Sequence, residues 1–184
     1  RMEVAAGMYF CCPGRVKIEG GGGCVILVPG YKGLFSIGGP LEAQGRLPYI
    51  DGCTDTLLIP PPLLGDPCLN HLHFPGGITQ TQHTHPSGRA GLVARGSGVC
   101  LIPDKAQEGG FQRVPLVPGA VFCIPPNALH SFETAEGQSM DVVAFHPDSD
   151  FGPRPLDHPM VNRTIVNGVS ANALPNIQTN LTKR

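Results

Sequence analysis

The sequence predicts an all-β fold, a sandwich or barrel of short strands, on three observations. Short apolar and β-branched runs recur along the chain: "GCVILV" (23–28), "TDTLLI" (54–59), "GLVARGSGVCLI" (91–102), "GAVFCI" (119–124) and "MDVVAF" (140–145). Each is bounded by Gly, Pro or Asp, and none carries the long 3.6-residue apolar stripe of a helix. The 25 Gly and 20 Pro are scattered between these runs without a repeat, which argues for turns and against a disordered or collagen-like chain. Such runs at close spacing suit two sheets burying one core. A length of 184 residues fits one domain.

The elements follow in order. Residues 1–52 hold strand-like pieces separated by "EGGGGC" and "PGYKG", and are expected to add strands to the same domain. Residues 53–146 hold the densest strand pattern and form the expected barrel core. Residues 147–184 are rich in Pro, Asn and Asp with few periodic apolar positions. They read as an extended arm over the domain or a neighbouring subunit, since alone they bury too little to offset their ordering entropy.

Charge excludes several partners. Thirteen Lys and Arg against fourteen Asp and Glu leave no field that would gather nucleic acid or an anionic membrane. Apolar runs are broken by Pro and Gly well short of the roughly 20 residues of a membrane helix. No basic-then-apolar leader opens the chain, so the cytoplasm is the expected compartment. The seven cysteines form no C-x-x-C pair and are odd in number, which suits small buried hydrophobes better than a disulfide framework. Neither a nucleophile elbow nor a phosphate-binding loop occurs; "EGGGGC" lacks the Lys-Ser/Thr that phosphate cradling needs.

The stretch "GGITQTQHTHPSGRAGLVARG" (76–96) carries the chemistry. In a strand, alternate side chains share a face, so His83 and His85 point together, with Thr79 and Thr81 beside them and Gln80, Gln82 and Thr84 opposite. Two converging imidazoles can hold a divalent metal, and a third from a distant strand would close one face of the ion. His130, beyond the Pro-Pro corner in "GAVFCIPPNALHSF", is that candidate.

These two segments resemble the paired motifs of the cupin family, small jelly-roll β-barrels that hold one metal ion. The first motif, G-x5-H-x-H-x3-E-x6-G, is matched by Gly77, His83, His85 and Gly96, with Arg89 at the glutamate position. The second, G-x5-P-x-G-x2-H-x3-N, is matched by Gly119, Pro125 and His130, with Asn127 for the middle Gly and Thr134 for the final Asn. The match covers about 60 of the 184 residues. It implies a single cupin jelly-roll with His83, His85 and His130 as metal ligands, and a homodimer.

Arg89 changes the electrostatics. Its guanidinium stays protonated and has no lone pair to donate. At about 8 Å from a divalent ion and an effective dielectric of ~20, repulsion would be roughly 4 kcal/mol. A bound anion lying between the two turns both interactions attractive. With three neutral ligands leaving positions open on the ion, the resemblance to three-histidine cupin sites implies a metal-dependent cupin enzyme, a mononuclear non-heme iron dioxygenase acting on a small anionic organic substrate with O2. Fe(II) is the first expectation, with Ni, Mn, Zn and Cu as alternatives. The competing readings are an oxygen-independent lyase or isomerase and a non-catalytic ligand-binding cupin.

Further candidates surround the site. Reading "CLNHLHFPGGIT" as a hairpin about Pro75-Gly76-Gly77 places His71 and His73 on the face of His83 and His85, as catalytic base or substrate anchor beside Arg89. Glu133, Glu136 and Asp141 are expected in a solvated turn, with a fourth ligand or charge partner among them as the alternative, and His146 and His158 in turns, with one folded over the barrel mouth as the alternative. Any of Tyr9, Tyr31 and Tyr49 could line the cavity.

Overall fold

A computed structural model of the chain describes residues 2–106, 109–154 and 160–175. Its strands are β1 (Tyr9–Cys11), β2 (Ser36–Gly38), β3 (Leu47–Pro48), β4 (Thr54–Ile59), β5 (Cys68–Phe74), β6 (Arg89–Gly96), β7 (Gly98–Pro103), β8 (Phe111–Leu116), β9 (Val121–Ile124), β10 (Ser131–Glu133), β11 (Met140–His146), β12 (Ile165–Val166) and β13 (Val169–Ser170). Helical turns among the described residues are confined to three short 3-10 segments. No helix among them is long and apolar enough to cross a membrane.

Four of the five apolar runs become strands because each finds an antiparallel neighbour. A six-stranded sheet in the order β3-β4-β5-β11-β6-β9 faces a three-stranded sheet, β10-β7-β8. Inward residues of the two sheets meet: Phe74 on β5 stacks on Phe132 of β10 with ring centroids 5.1 Å apart, and Val93, Cys100, Leu116, Ile124, Met140 and Val142 complete the core. This is the antiparallel sandwich the sequence predicts. The fifth run is a correction. Residues 23–28 form no strand, and Leu27 is 81% exposed, because β-forming side chains make a strand only where another backbone completes the ladder.

The rest of the amino-terminal segment does add strands, β3 pairing with β4 at the edge of the large sheet and β1 with β2, and side chains tie it further to that sheet. Gly45 and Arg46 donate their amides to the hydroxyls of Thr54 (2.8 Å) and Thr56 (2.9 Å), and Arg95 reaches the carbonyls of Leu41 and Glu42. Residues 147–154 lie against the β4–β5 connection, where Leu64 and Gly65 donate to the carbonyls of Pro153 and Ser149. Within the expected arm, residues 165–170 form the β12–β13 hairpin, while His158 lies outside the described residues.

Two motif positions explain the turns that frame the site. Asn127 adopts φ 57°, the left-handed conformation expected of the residue standing in for glycine, and its amide donates to the carbonyl of His85 at 2.7 Å. Gly96 has φ 69°, and a side chain there would collide with the backbone of Ser139.

Candidate metal centre

Residues 79–83 run beside β10 and carry the first two ligands. Their bridges are Thr79 with Glu133 and His83 with His130, so four steps on one strand oppose three on the other. One extra residue is therefore accommodated at Thr81 and Gln82, a bulge. Gln82 donates to the Ser131 hydroxyl at 2.6 Å on the outer side, whereas Gln80 turns inward and lines the cavity with His83 and His85. The even alternation expected from the sequence put Thr79 and Thr81 there; the bulge replaces them with Gln80.

His83, His85 and His130 come together as expected, with ligand atoms all within 4.8 Å of one another. Among the described residues this is the one His/Cys/Asp/Glu group with such geometry. Backbone carbonyls fix two of the rings. Nδ1 of His83 lies 2.8 Å from the Thr81 oxygen and Nδ1 of His130 lies 2.9 Å from the Ala128 oxygen. A carbonyl only accepts, so both Nδ1 atoms carry hydrogen and both Nε2 atoms keep a free lone pair. Nε2 of His130 is buried without a hydrogen-bond partner, an orphaned lone pair that a bound cation would satisfy. The donor set thus fits a divalent metal such as Fe(II), Zn, Ni, Mn or Cu.

The surroundings disfavour protons on His85 and His130. Burial, with Arg89 and the neighbouring histidines, pushes His85 down to about 4, and burial also lowers His130. Arg89 faces inward by strand alternation with Gly91 and Val93. Its Nη1 donates to the Gly88 carbonyl at 3.0 Å and to the Ser87 hydroxyl, and lies 3.5 Å from Asp148, while its Nε is buried without a partner. The cavity measures about 30 Å3 and has walls from Leu72, Phe74, Phe122, Ile124 and Val142. No carboxylate lines it among the described residues.

Two cavity residues escaped a definite assignment. His146, expected in a turn, is the last residue of β11 and shares the inward face of Val142 and Ala144. Burial, followed by the charge of Arg89, pushes it down to about 4. Of the three tyrosines, Tyr49 lines the cavity.

His71 and His73 are a correction. The 68–78 segment is not a hairpin: β5 pairs with β4 and β11, and its inward residues are Leu72 and Phe74. The two histidines lie on the opposite face, where both bond Oδ1 of Asp141, at 2.7 Å from His71 Nε2 and 2.9 Å from His73 Nδ1. Their position removes them from the cavity. Asp141 itself is 2% exposed, not in a solvated turn, and Glu133 pairs with Arg113 at 2.6 Å on the outer side.

The depressed histidines make a pH prediction. Unfolded histidine titrates near 6.5, so between pH 6.5 and 4 the unfolded chain binds protons that His85 and His146 refuse when folded. Stability of the metal-free protein should be level above pH 6.5 and fall on the order of 3 kcal/mol by pH 4.5, after allowing for their partial exposure. Urea unfolding at pH 7.5, 6.5, 5.5 and 4.5 measures this; an unchanged midpoint throughout contradicts it.

No family model and no curated protein matches the sequence. Similar solved structures include the polyketide cyclase RemF from Streptomyces resistomycificus, at 24% identity, covering 55% of this chain and 69% of that one, with a TM-score of 0.46. A cupin-like protein from Thermotoga maritima is similar at 19% identity, covering 60% and 80%, with a TM-score of 0.47. A cupin superfamily protein from Desulfitobacterium hafniense is similar at 15% identity, covering 60% and 85%, with a TM-score of 0.44.

Proposed function

We propose that the protein is a metal-dependent enzyme of cupin type, a mononuclear non-heme iron dioxygenase acting on a small anionic organic molecule. The observation that carries this reading is a charge imbalance: three neutral imidazoles and the Arg89 guanidinium share a cavity that no carboxylate lines among the described residues. A divalent ion added there brings two further positive charges into largely apolar walls beside Arg89, whose own charge is met by Asp148 at 3.5 Å, and that excess favours an anionic ligand. Bound at the three histidines, Fe(II) supplies Lewis acidity and the electrons that O2 chemistry needs.

The chain's own residues do the rest. Arg89 receives the substrate's acid group, its unpartnered Nε offering a charge-assisted hydrogen bond. Leu72, Phe74 and Ile124 exclude water. A cavity of about 30 Å3 accommodates only one or two water-sized groups, so the body of the substrate lies outward of the metal, beyond Arg89.

O2 uptake by iron-loaded protein, across thiol, β-diketone and phenolic acid panels, tests the proposal. At least one anionic substrate should drive uptake, and Arg89→Gln should raise its KM about 10–100-fold while lowering kcat less, as expected for loss of a charged hydrogen bond. Silence across all panels contradicts the dioxygenase. A second reading, oxygen-independent lyase or isomerase chemistry, is favoured by one observation: His146 adds a fourth imidazole to the same cavity, outside the three-histidine ligand set and placed to hydrogen-bond a bound substrate. Turnover under strict anaerobiosis would select it.

A further inference from the structure

The cavity contains a donor that neither motif includes. Gln80 is 3% exposed, and its Oε1 is buried without a hydrogen-bond partner, as is Nε2 of His130 in the same cavity. Two lone-pair donors facing one enclosed space cannot satisfy each other, since neither carries a hydrogen to give. A cation at this place would satisfy both lone pairs at once, as two separate hydrogen-bond donors would.

The backbone aims Gln80 at this place. Its amide donates to the Phe132 carbonyl at 2.9 Å, which sets its Cα opposite a residue two positions from His130 on the same edge. The extra residue at Thr81 and Gln82 then brings the Gln80 side chain onto the face of His83. The amide nitrogen of Gln80 lies 3.5 Å from Cys53 Sγ, while its carbonyl oxygen has no bond and the residue lines the histidine cavity. A primary amide facing a cation presents its oxygen, the only end with a lone pair to give.

We propose that Oε1 of Gln80 is the fourth protein ligand of the metal, a neutral oxygen donor from the strand position three residues before His83. This inference rests on the three-histidine reading of the site. It deepens that reading in one respect: a neutral fourth ligand leaves the full charge of the ion in place, so the requirement for an anionic substrate persists with all four ligands bound. It also explains how Arg89 can stand at the position of an acidic residue without leaving the ion short of oxygen donors.

Metal titration and the visible spectrum of the Co(II)-loaded protein test it, with Gln80→Leu and Gln80→Glu compared with wild type. If Gln80 is a ligand, Gln80→Leu should weaken Co(II) binding at least about tenfold and shift the visible bands, which report the donor set. Gln80→Glu, which adds a negative charge to the same skeleton, should tighten binding about tenfold or more. Leu and wild-type proteins with dissociation constants within about twofold and superimposable spectra would overturn the inference while leaving the three-histidine site intact. Wild-type protein that binds no Co(II) would overturn both. If circular dichroism shows the Leu variant unfolded, the Glu variant decides: tighter binding with a shifted band supports the assignment, and unchanged affinity and spectrum overturn it.

Discussion

Asp141→Ala should lower folding stability by about 3–5 kcal/mol, the cost of leaving a buried ionic network without its anion. Asp141 lies in β11 at 2% exposure and links three strands: His71 and His73 of β5 bond its Oδ1, and Arg95 of β6 donates to its Oδ2 at 2.6 Å. Burial alone would raise its carboxyl; the bonds from His71, Arg95 and His73 outweigh it and hold the group well below the usual carboxylate range. Removing the carboxylate strands His71, itself 1% exposed, beneath the amino-terminal segment. It also frees Arg95, whose guanidinium holds the carbonyls of Leu41 and Glu42.

Residues 41–46 should therefore loosen first in the variant, which hydrogen exchange at their amides would register alongside the fall in urea midpoint. The sign with pH follows from the depressed carboxyl: the network's contribution is complete above the ordinary carboxylate pKa near 4 and is lost as pH falls below it. Wild type and variant should accordingly converge in stability toward strongly acidic pH. A variant within about 0.5 kcal/mol of wild type at neutral pH would mean that the network is solvated and dispensable.

The site was legible in the sequence to the extent that its chemistry is local. The H-x-H pair and the third histidine beyond a Pro-Pro corner sit at motif spacing, and the positive φ of Asn127 is what the substituted motif position demands. Facing was harder. Nothing local shows that β5 pairs with β4 and β11, separated from it by very different lengths of chain, so the nearby Pro-Gly-Gly turn suggests a hairpin that would put His71 and His73 on the opposite face from the one they occupy. Gln80 was misplaced by one bulged residue, a change of backbone that leaves no trace in composition. His146 was missed because the apolar run stops at Phe145 while the strand continues one residue further. For Asp141, the signal was its place at the head of "MDVVAF", where strand alternation puts it opposite the face of Met140 and Val142.

The largest effect of all is expected at the metal. His130→Ala removes a ligand that is 1% exposed and pre-oriented by the Ala128 carbonyl, and His83→Ala removes the partner that faces it across the strand pair at 4.5 Å between ring centroids. With only two imidazoles left, the ion loses the closed face that holds it, and affinity should fall by more than the 10–100-fold typical of losing an outer hydrogen-bond partner. Neither change should unfold the sandwich, since its core residues, from Phe74 to Val142, remain in place. The direct measurement is elemental analysis after anaerobic dialysis against Fe(II), for wild type, His83→Ala and His130→Ala. Wild-type protein should retain about one ion per chain and each variant less than about a tenth of that; equal metal in all three would contradict a centre built from these imidazoles.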